Sequence, residues 1–355
     1  MPNQKAIAQE LGISQSTVSR ALRNDHQIPE ATRKKVREMA DRLAYRPNPM
    51  VSSLMEQIRS GRSPQAHGCL MIIVDRKDKK DWFRFKSYKE QYDGFTHQAA
   101  HHGYTTDCLF LRGKGAQSSN FDDILYRRGI DGVFLAAPNW QESGHFELSW
   151  ERYATGTIGY SWERFPIDRV STAHRRNANR CYRELTKRGY RRIGMVLDVI
   201  ATNWADQTWM AASALHQTTT APEEAIPNFV INQPLSQKKN FKDWLTKWKP
   251  TAVVCVGEGE SKWMDRNGWL PNSIPRVLCN RPSDSAYAGM DENNHAVGAA
   301  LCDLIVAKIT QNQRGPASDP KTILIEGKWC DSTLLPSIAP EEVIELQNRW
   351  IKGPE

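Results

Sequence analysis

The stretch LGISQSTVSRALRN, residues 11–24, sets Val18 and Leu22 one helical turn apart, with Ala21 beside them. Gln15, Ser16, Ser19, Arg20 and Arg23 follow an i, i+1, i+4, i+5, i+8 spacing, which gathers them into one stripe on another side of the same helix. Ser14 stands where a cap for that helix belongs. Gly12 can end a preceding helix that Asn3 opens and that runs through Ala6, Ile7, Ala8 and Leu11. Two short helices joined by a tight, glycine-containing turn form a helix-turn-helix. A small surface helix pair with no ligand would show the same spacing, so the polar stripe must be weighed with its surroundings.

Short hydroxyl and amide side chains at the start of a helix let it enter the major groove of DNA. A longer arginine further along can reach guanine O6 and N7, or a phosphate. The charge distribution favours that use. The 355 residues carry a formal net charge of +8, and residues 1–64, with eleven Lys/Arg against six Asp/Glu, supply +5 of it. A basic head on a near-neutral body points to an anionic partner, nucleic acid first; a merely solvated basic face is the alternative.

The rest of the composition narrows the class. With 39% hydrophobic and 25% charged residues the chain is globular in composition, and its length suits two or three domains. No apolar run approaches the roughly 18 residues that span a bilayer, and the opening MPNQKAIAQELG lacks the apolar core of a secretory signal. No membrane partner is therefore expected. Cysteines 69, 108, 181, 255, 279, 302 and 330 are scattered, odd in number and without a CxxC pair. That pattern speaks against a disulfide framework or zinc site and for a reducing, cytoplasmic location. Neither a metal nor a cofactor is expected.

Downstream of the opening stretch, Pro29 starts a third helix with Ala31, Val36, Met39, Ala40 and Leu43 on its apolar face. Pro47 breaks it. Asn48 can cap, and Pro49 opens a short fourth helix to about Ile58, with Gly61 beyond it. Met50, Val51, Leu54, Met55 and Ile58 make this segment apolar, yet it is too short to be stable alone. It calls for a partner, a second copy of itself or DNA.

The runs KAIAQELGISQSTVSRALRN and IPEATRKKVREMADRLAYRPNPM resemble the DNA-binding head and hinge helix of the lactose/galactose repressor (LacI/GalR) family, without gaps over about 55 residues. The resemblance implies that Gln15, Ser16 and Arg20 read bases in the major groove. Ser14, Thr17, Ser19 and Asn24 would hold phosphates, and Leu54 would wedge into a minor-groove base step and kink the duplex. The sequence departs from the family at Val51-Ser52, where Ala-Arg is usual, and at Arg23, where Asn is common; Arg23 would add a backbone contact.

From residue 65 onward, apolar strand-like runs alternate with helical stretches: CLMIIV (69–74), TTDCLFL (105–111), DGVFLA (131–136), RRIGMVL (191–197), TAVVCV (251–256), PRVLC (275–279), AYAGM (286–290) and KTILIE (321–326). Continuous apolar strands between amphipathic helices indicate parallel sheets covered on both faces. About ten such strands suggest two doubly wound sheets. GFTHQAAHHGY, RGIDGVFLAAP, RELTKRGYRRIGMV and the long run from Ala288 to Gly315 are similar to the family's regulatory domain, which is like a periplasmic binding protein.

The fold expected is thus an all-α helix-turn-helix head with a hinge helix, followed by an α/β domain of two doubly wound subdomains. Boundaries are set at 1–47 for the head, 48–64 for hinge and linker, 65–340 for the regulatory domain and 341–355 for a short C-terminal helix. By the resemblance, one subdomain takes about 65–160 and 293–317, the other 161–292 and 318–340, with a ligand cleft between them at the carboxyl ends of the strands. Candidate effector contacts there are Asp75, Arg76, Trp82, Asn139 and Trp140 from the first subdomain. The second supplies Tyr160, Trp204, Glu258, Asn280, Arg281 and Asp291. Aromatic rings with paired hydrogen-bonding groups suit a sugar or a similar polar ring. By the resemblance, the residues around Thr172 to His174 replace a common Asp-Asn, and Asn280-Arg281 replaces a usual Asp-Asp.

Enzyme signatures are weak by comparison. GEGES (257–261) lacks the GxxxxGK[ST] frame of a phosphate loop, His101-His102 has no matching ligand set, and Asp122-Asp123 suits the positive end of a helix. The expectation is a regulator and not an enzyme: a homodimer on a pseudopalindromic operator, controlled by a small effector such as a sugar. The alternative is a carbohydrate-binding sensor or enzyme with a vestigial DNA-binding head.

Overall fold

A computed structural model of the chain describes residues 4–22, 24–43, 45, 68–113, 121–138, 148–162, 165–198, 205–232, 238–266 and 274–337. The expected hinge helix and C-terminal helix lie outside the described residues.

Three helices form the head: α1 (Gln4–Leu11), α2 (Gln15–Leu22) and α3 (Glu30–Arg42). Gly12 takes φ +64°, the left-handed conformation that ends α1. Ser14 caps α2, its Oγ accepting the N–H of Thr17 at 3.1 Å. Ile7, Val18, Ala21 and Val36 are fully buried where the helices meet, and Ile28 closes the cluster from the loop before α3. Ala31 does not join them. It is exposed, because it lies five residues from Val36 and so about 140° round the helix, whereas Met39 and Ala40 follow Val36 at the i+3 and i+4 positions.

The body holds twelve strands among the described residues: β1 (Cys69–Val74), β2 (Thr105–Phe110), β3 (Gly132–Leu135), β4 (Ala154–Ile158), β5 (Arg169–Thr172), β6 (Ile193–Asp198), β7 (Phe229–Ile231), β8 (Ala252–Cys255), β9 (Arg276–Leu278), β10 (Ala288–Asp291), β11 (Thr322–Ile325) and β12 (Lys328–Cys330). They make two six-stranded sheets, ordered β11-β5-β4-β3-β1-β2 and β12-β10-β9-β8-β6-β7. The first is parallel throughout; in the second only β12 runs antiparallel, against β10. In each sheet the strand order reverses once, between β1 and β3 and between β6 and β8. These are the doubly wound switch points, outside whose carboxyl ends ligands bind in open α/β sheets.

The expected subdomain boundaries need correction at two places. β5 and β11 pair with each other and lie in the first sheet, although residues beyond 160 and beyond 317 were assigned to the second subdomain. The reason is backbone pairing: the Ile323 and Leu324 register against Val170 and Ser171 extends the first sheet by two strands before the chain crosses over.

Helices α4 (Lys86–His101), α5 (Phe121–Arg127), α6 (His174–Lys187), α7 (Thr208–Thr219), α8 (Lys238–Trp248), α9 (Glu258–Arg266) and α10 (Asn294–Thr310) cover the sheets. None is long and apolar enough to cross a membrane. α4 and α10 pack together over the first sheet around Phe95, Val297, Leu301 and Ile305. Their backbones touch. A Cβ on Gly298 would stand 1.9 Å from the Gln91 carbonyl oxygen, and one on Gly94 2.0 Å from that of His295. At its other end α10 is pinned by Lys308, whose buried Nζ donates to Asp168 Oδ2 at 2.7 Å and to the Thr155 carbonyl at 3.1 Å.

Gly298→Ala should therefore force the two helices apart and destabilise the body by about 3 kcal/mol, the upper end for overpacking. Gly259→Ala, whose Cβ would meet nothing within 4 Å, should be neutral or stabilising by up to about 1 kcal/mol through helix propensity. Urea unfolding of both variants checks the contrast, and equal midpoints would contradict the close approach.

Candidate functional site

Two places carry polar side chains in a pattern that packing alone does not require. The first is the exposed stripe of α2. Ser14, Gln15 and Ser16 are exposed, and Thr17, Ser19 and Arg20 half-buried. The three hydroxyls at the start of the helix form a cluster: Ser14 Oγ lies 2.7 Å from Ser16 Oγ and 2.8 Å from Thr17 Oγ1. One turn on, the Nε of Arg20 donates to Asp25 Oδ2 at 2.8 Å, and its Nη2 to Gln27 Oε1. The guanidinium holds the Asp25 carboxyl below the usual carboxylate range. Asn24 is exposed with φ +59°, turning the chain out of α2. Arg23 and Leu54 lie outside the described residues. Asp25 and Gln27 escaped the sequence reading because they follow the helix and belong to no periodic face.

The second place is the pair of switch points. Lys86, at the start of α4, reaches across to the loop after β9, where its Nζ donates to Ser283 Oγ at 2.8 Å and Asp284 Oδ1 at 2.7 Å. The carboxyl ends of the two sheets are thus turned toward each other. Tyr160, expected from the second subdomain, instead stands in the first lobe, because it follows β4 of the first sheet, with Arg169 over its ring at 5.5 Å. Burial, and then the negative charge of Asp206 from the opposite lobe, raise its phenol pKa. Asn280 and Glu258 sit half-buried past the ends of β9 and β8; Glu258 pairs with Lys262 at 2.6 Å.

Several expected contacts are used internally. Asp75, at the end of β1, is buried and receives Arg112 through Nε at 2.6 Å and Nη2 at 3.2 Å. Arg76 is half-buried, with Nη1 on the Asp75 carbonyl at 3.1 Å. Asp291 accepts the N–H of Asn293 at 2.8 Å and shapes the turn into α10. Trp82 requires correction: it is 3% exposed and packs in the first core, stacked on Phe83 and edge-on to Tyr92. Its large apolar ring is worth more buried than facing a cleft. Arg281 does too. Its guanidinium donates to the carbonyls of Pro282, Ser283, Ser285 and Tyr287, so it organises its own loop and does not reach outward. Asn139, Trp140 and Trp204 lie outside the described residues.

One residue absent from the sequence reading bridges the second switch point. Glu260, 6% exposed in α9, accepts the N–H of Gly257 through Oε2 at 3.0 Å and that of Asp198 through Oε1 at 3.3 Å. Its carboxylate ties the end of β6 to the loop after β8. Burial raises its pKa, and the backbone donors oppose that rise. No group of three or more His, Cys, Asp or Glu side chains among the described residues could hold a metal ion.

Against known proteins, residues 5–48 match the family described as bacterial regulatory proteins, lacI family. That match spans the three-helix head, which is thus similar to the lacI-family DNA-binding domain. The HTH-type transcriptional repressor CytR of Escherichia coli (strain K12) is 31% identical over 134 residues, 37% of this chain and 34% of the relative. The chain thus matches only about a third of that relative's length. Two solved structures share the fold of nearly the whole chain. A CelR–cellobiose complex, a transcriptional regulator, has TM-score 0.51 at 16% identity, covering 93% of this chain and 98% of its own. The lac repressor dimer bound to operator and the anti-inducer ONPF has TM-score 0.52 at 13% identity, covering 94% and 99%.

The raised pKa of Glu260 has a definite sign. The native carboxyl keeps its proton to higher pH than the unfolded one, so its contribution is fully present at low pH and is lost as pH rises from the ordinary carboxylate range through the raised value. Glu260→Gln, neutral at every pH, should lose that part of the slope. It should also cost about 1 kcal/mol at low pH, because an amide oxygen serves only one of the two donors well. Urea midpoints across the acid-to-neutral range measure both; a variant with the parent's slope would contradict the assignment.

Proposed function

We propose that the chain is a sequence-specific DNA-binding transcriptional regulator, acting as a repressor, whose operator affinity is set by a small polar effector held between the two lobes. The observation that carries this reading is the exposed polar stripe of α2 on a head of the lacI family. Gln15, Ser16 and Arg20 face outward from one side of that helix and read base edges. Ser14, Thr17, Ser19 and Asn24 lie where a helix entering the major groove passes the phosphates. Such a head works as a dimer on a pseudopalindromic site in the cytoplasm, since one short helix reads too few base pairs. The lac repressor structure, a dimer on its operator, supports this arrangement by analogy.

The effector is a sugar or sugar derivative. The facing sheet ends offer Tyr160, Asn280 and Glu258 as a ring and hydrogen-bonding groups, and the CelR–cellobiose complex is built on the same fold. Among the described residues, neither place brings together a nucleophile, base and oxyanion donors, and the matched relatives are regulators.

Selection from random duplexes should return a two-fold symmetric site. Arg20→Ala should then weaken binding about tenfold or more while relaxing preference at one position of each half-site. An equal loss on all sequences would contradict base reading. A thermal-shift screen of mono- and oligosaccharides should raise the melting temperature for the effector, because it binds only the native state.

A further inference from the structure

Arg20 is held by residues outside its own helix, and the hold is built into the fold of the head. Asp25 does more than pair with it. While Oδ2 receives Arg20 Nε, Oδ1 accepts the backbone N–H of Gln27 at 3.0 Å, so the carboxylate closes its own turn and cannot swing away with the arginine. The turn is anchored at both ends. The Asp25 N–H donates to the Arg20 carbonyl at 3.1 Å, and the Ile28 N–H donates to the Asp25 carbonyl at 3.0 Å. Ile28 is buried in the head core. From α3, Arg33 Nη1 donates to the Asn24 carbonyl at 3.2 Å.

The geometry fixes which part of the guanidinium is left. Nε and Nη2 share one edge of the planar fork, and that edge is turned to Asp25 Oδ2 and Gln27 Oε1. The end of the fork, with N–H groups on Nη1 and Nη2, carries the remaining donors. Two parallel donors at the tip of a fixed fork match guanine O6 and N7. We infer that Asp25, with Gln27, is a positioning residue that presets the Arg20 guanidinium for reading one guanine in each half-site. The inference rests on the DNA-binding reading above and adds to it the residue that decides base preference.

The arrangement has two consequences of opposite sign. A free arginine loses rotamer freedom on docking, and one already held loses less, so the latch sharpens discrimination. The same carboxylate puts a negative charge beside the DNA-facing stripe, which weakens attraction to phosphates of any sequence. Removing Asp25 should lower selectivity while raising affinity for random DNA. A purely structural role in the head would lower both.

The test uses the full chain and the site it selects. Binding is measured on that site, on the site with its Arg20-read guanine replaced, and on an unrelated duplex, for the parent, Asp25→Ala, Asp25→Asn, Arg20→Ala and Arg20→Ala/Asp25→Ala. The parent should select guanine at one position. Asp25→Ala should reduce discrimination there about tenfold, bind the unrelated duplex more tightly, and melt within a few degrees of the parent. Asp25→Asn, which keeps one acceptor, should fall between. The double variant should discriminate no worse than Arg20→Ala, because one interaction is being removed twice. Unchanged discrimination in both Asp25 variants would overturn the inference alone, and so would an even loss at every position of the site. A parent that selects no sequence would overturn the DNA-binding reading beneath it.

Discussion

The body depends on one constraint: the chain passes between its two sheets three times, and the three passages are tied side by side. In the first passage, at Ala173, the backbone N–H donates to the carbonyl of Ile325 in the third at 2.9 Å. One residue on, His174 Nδ1 lies 2.8 Å from Glu292 Oε1 in the second, with Glu292 3% exposed and the edge of the imidazole against Trp209. The third passage is bound in turn, Gly327 N–H donating to Asn177 Oδ1 at 3.3 Å. A side chain at Gly327 would stand 2.7 Å from both the Asn177 amide and the Asp291 carbonyl. Polar groups paired in this way away from water are costly to separate. The two sheets are therefore joined along this seam.

That seam explains how the strand ends of the two sheets come to face each other. Every strand of the first sheet runs parallel, and all but β12 of the second, so each sheet gathers its loops at one edge. Tying the crossovers together brings those edges face to face. The charged residues nearest the seam are mostly spoken for: Asp75 by Arg112, Glu260 by two backbone donors, Arg281 by its own loop. Such pairing holds these side chains in place, while Tyr160 and Asn280 stay half-exposed. A site with preset walls spends little of its ligand's binding energy on ordering itself.

How much of this was readable in the residues follows from the length scale of each interaction. The head was legible nearly to the residue, because its caps and its 3.6-residue spacing are local: Gly12, Ser14, Val18 and Val36 do what their positions announce. Strands β1, β3, β6 and β8 were visible as continuous apolar runs. β4 (ATGTI), β5 (RVST), β7 (FVI) and β12 (KWC) were not, since short strands with small or charged residues are recognised only by their neighbours in the sheet. Lobe membership was hardest. β11 and β12 are separated by Glu326 and Gly327 alone, yet belong to different sheets, and only pairing partners decide that. Trp82 and Arg281 misled for a related reason: each follows a strand in sequence, but a ring can turn into the core and a guanidinium can fold back onto its own loop.

The contrast between seam and mouth bears on control. At the seam the lobes are joined by buried contacts. At the mouth, Lys86 with Asp284 is a cross-lobe ion pair, and both charged side chains there are well exposed, so water and salt screen it. On the proposed function, a body joined firmly at its seam and weakly at its mouth would let its lobes take up two angles. On the proposed function, a ligand needs only a modest difference in affinity between those angles, about 1.4 kcal/mol, to change operator binding tenfold. A stronger mouth latch would hold one state against any small effector; a looser seam would let the lobes move without moving the head. On the proposed function, this distribution of buried and exposed pairs would let a small ligand suffice.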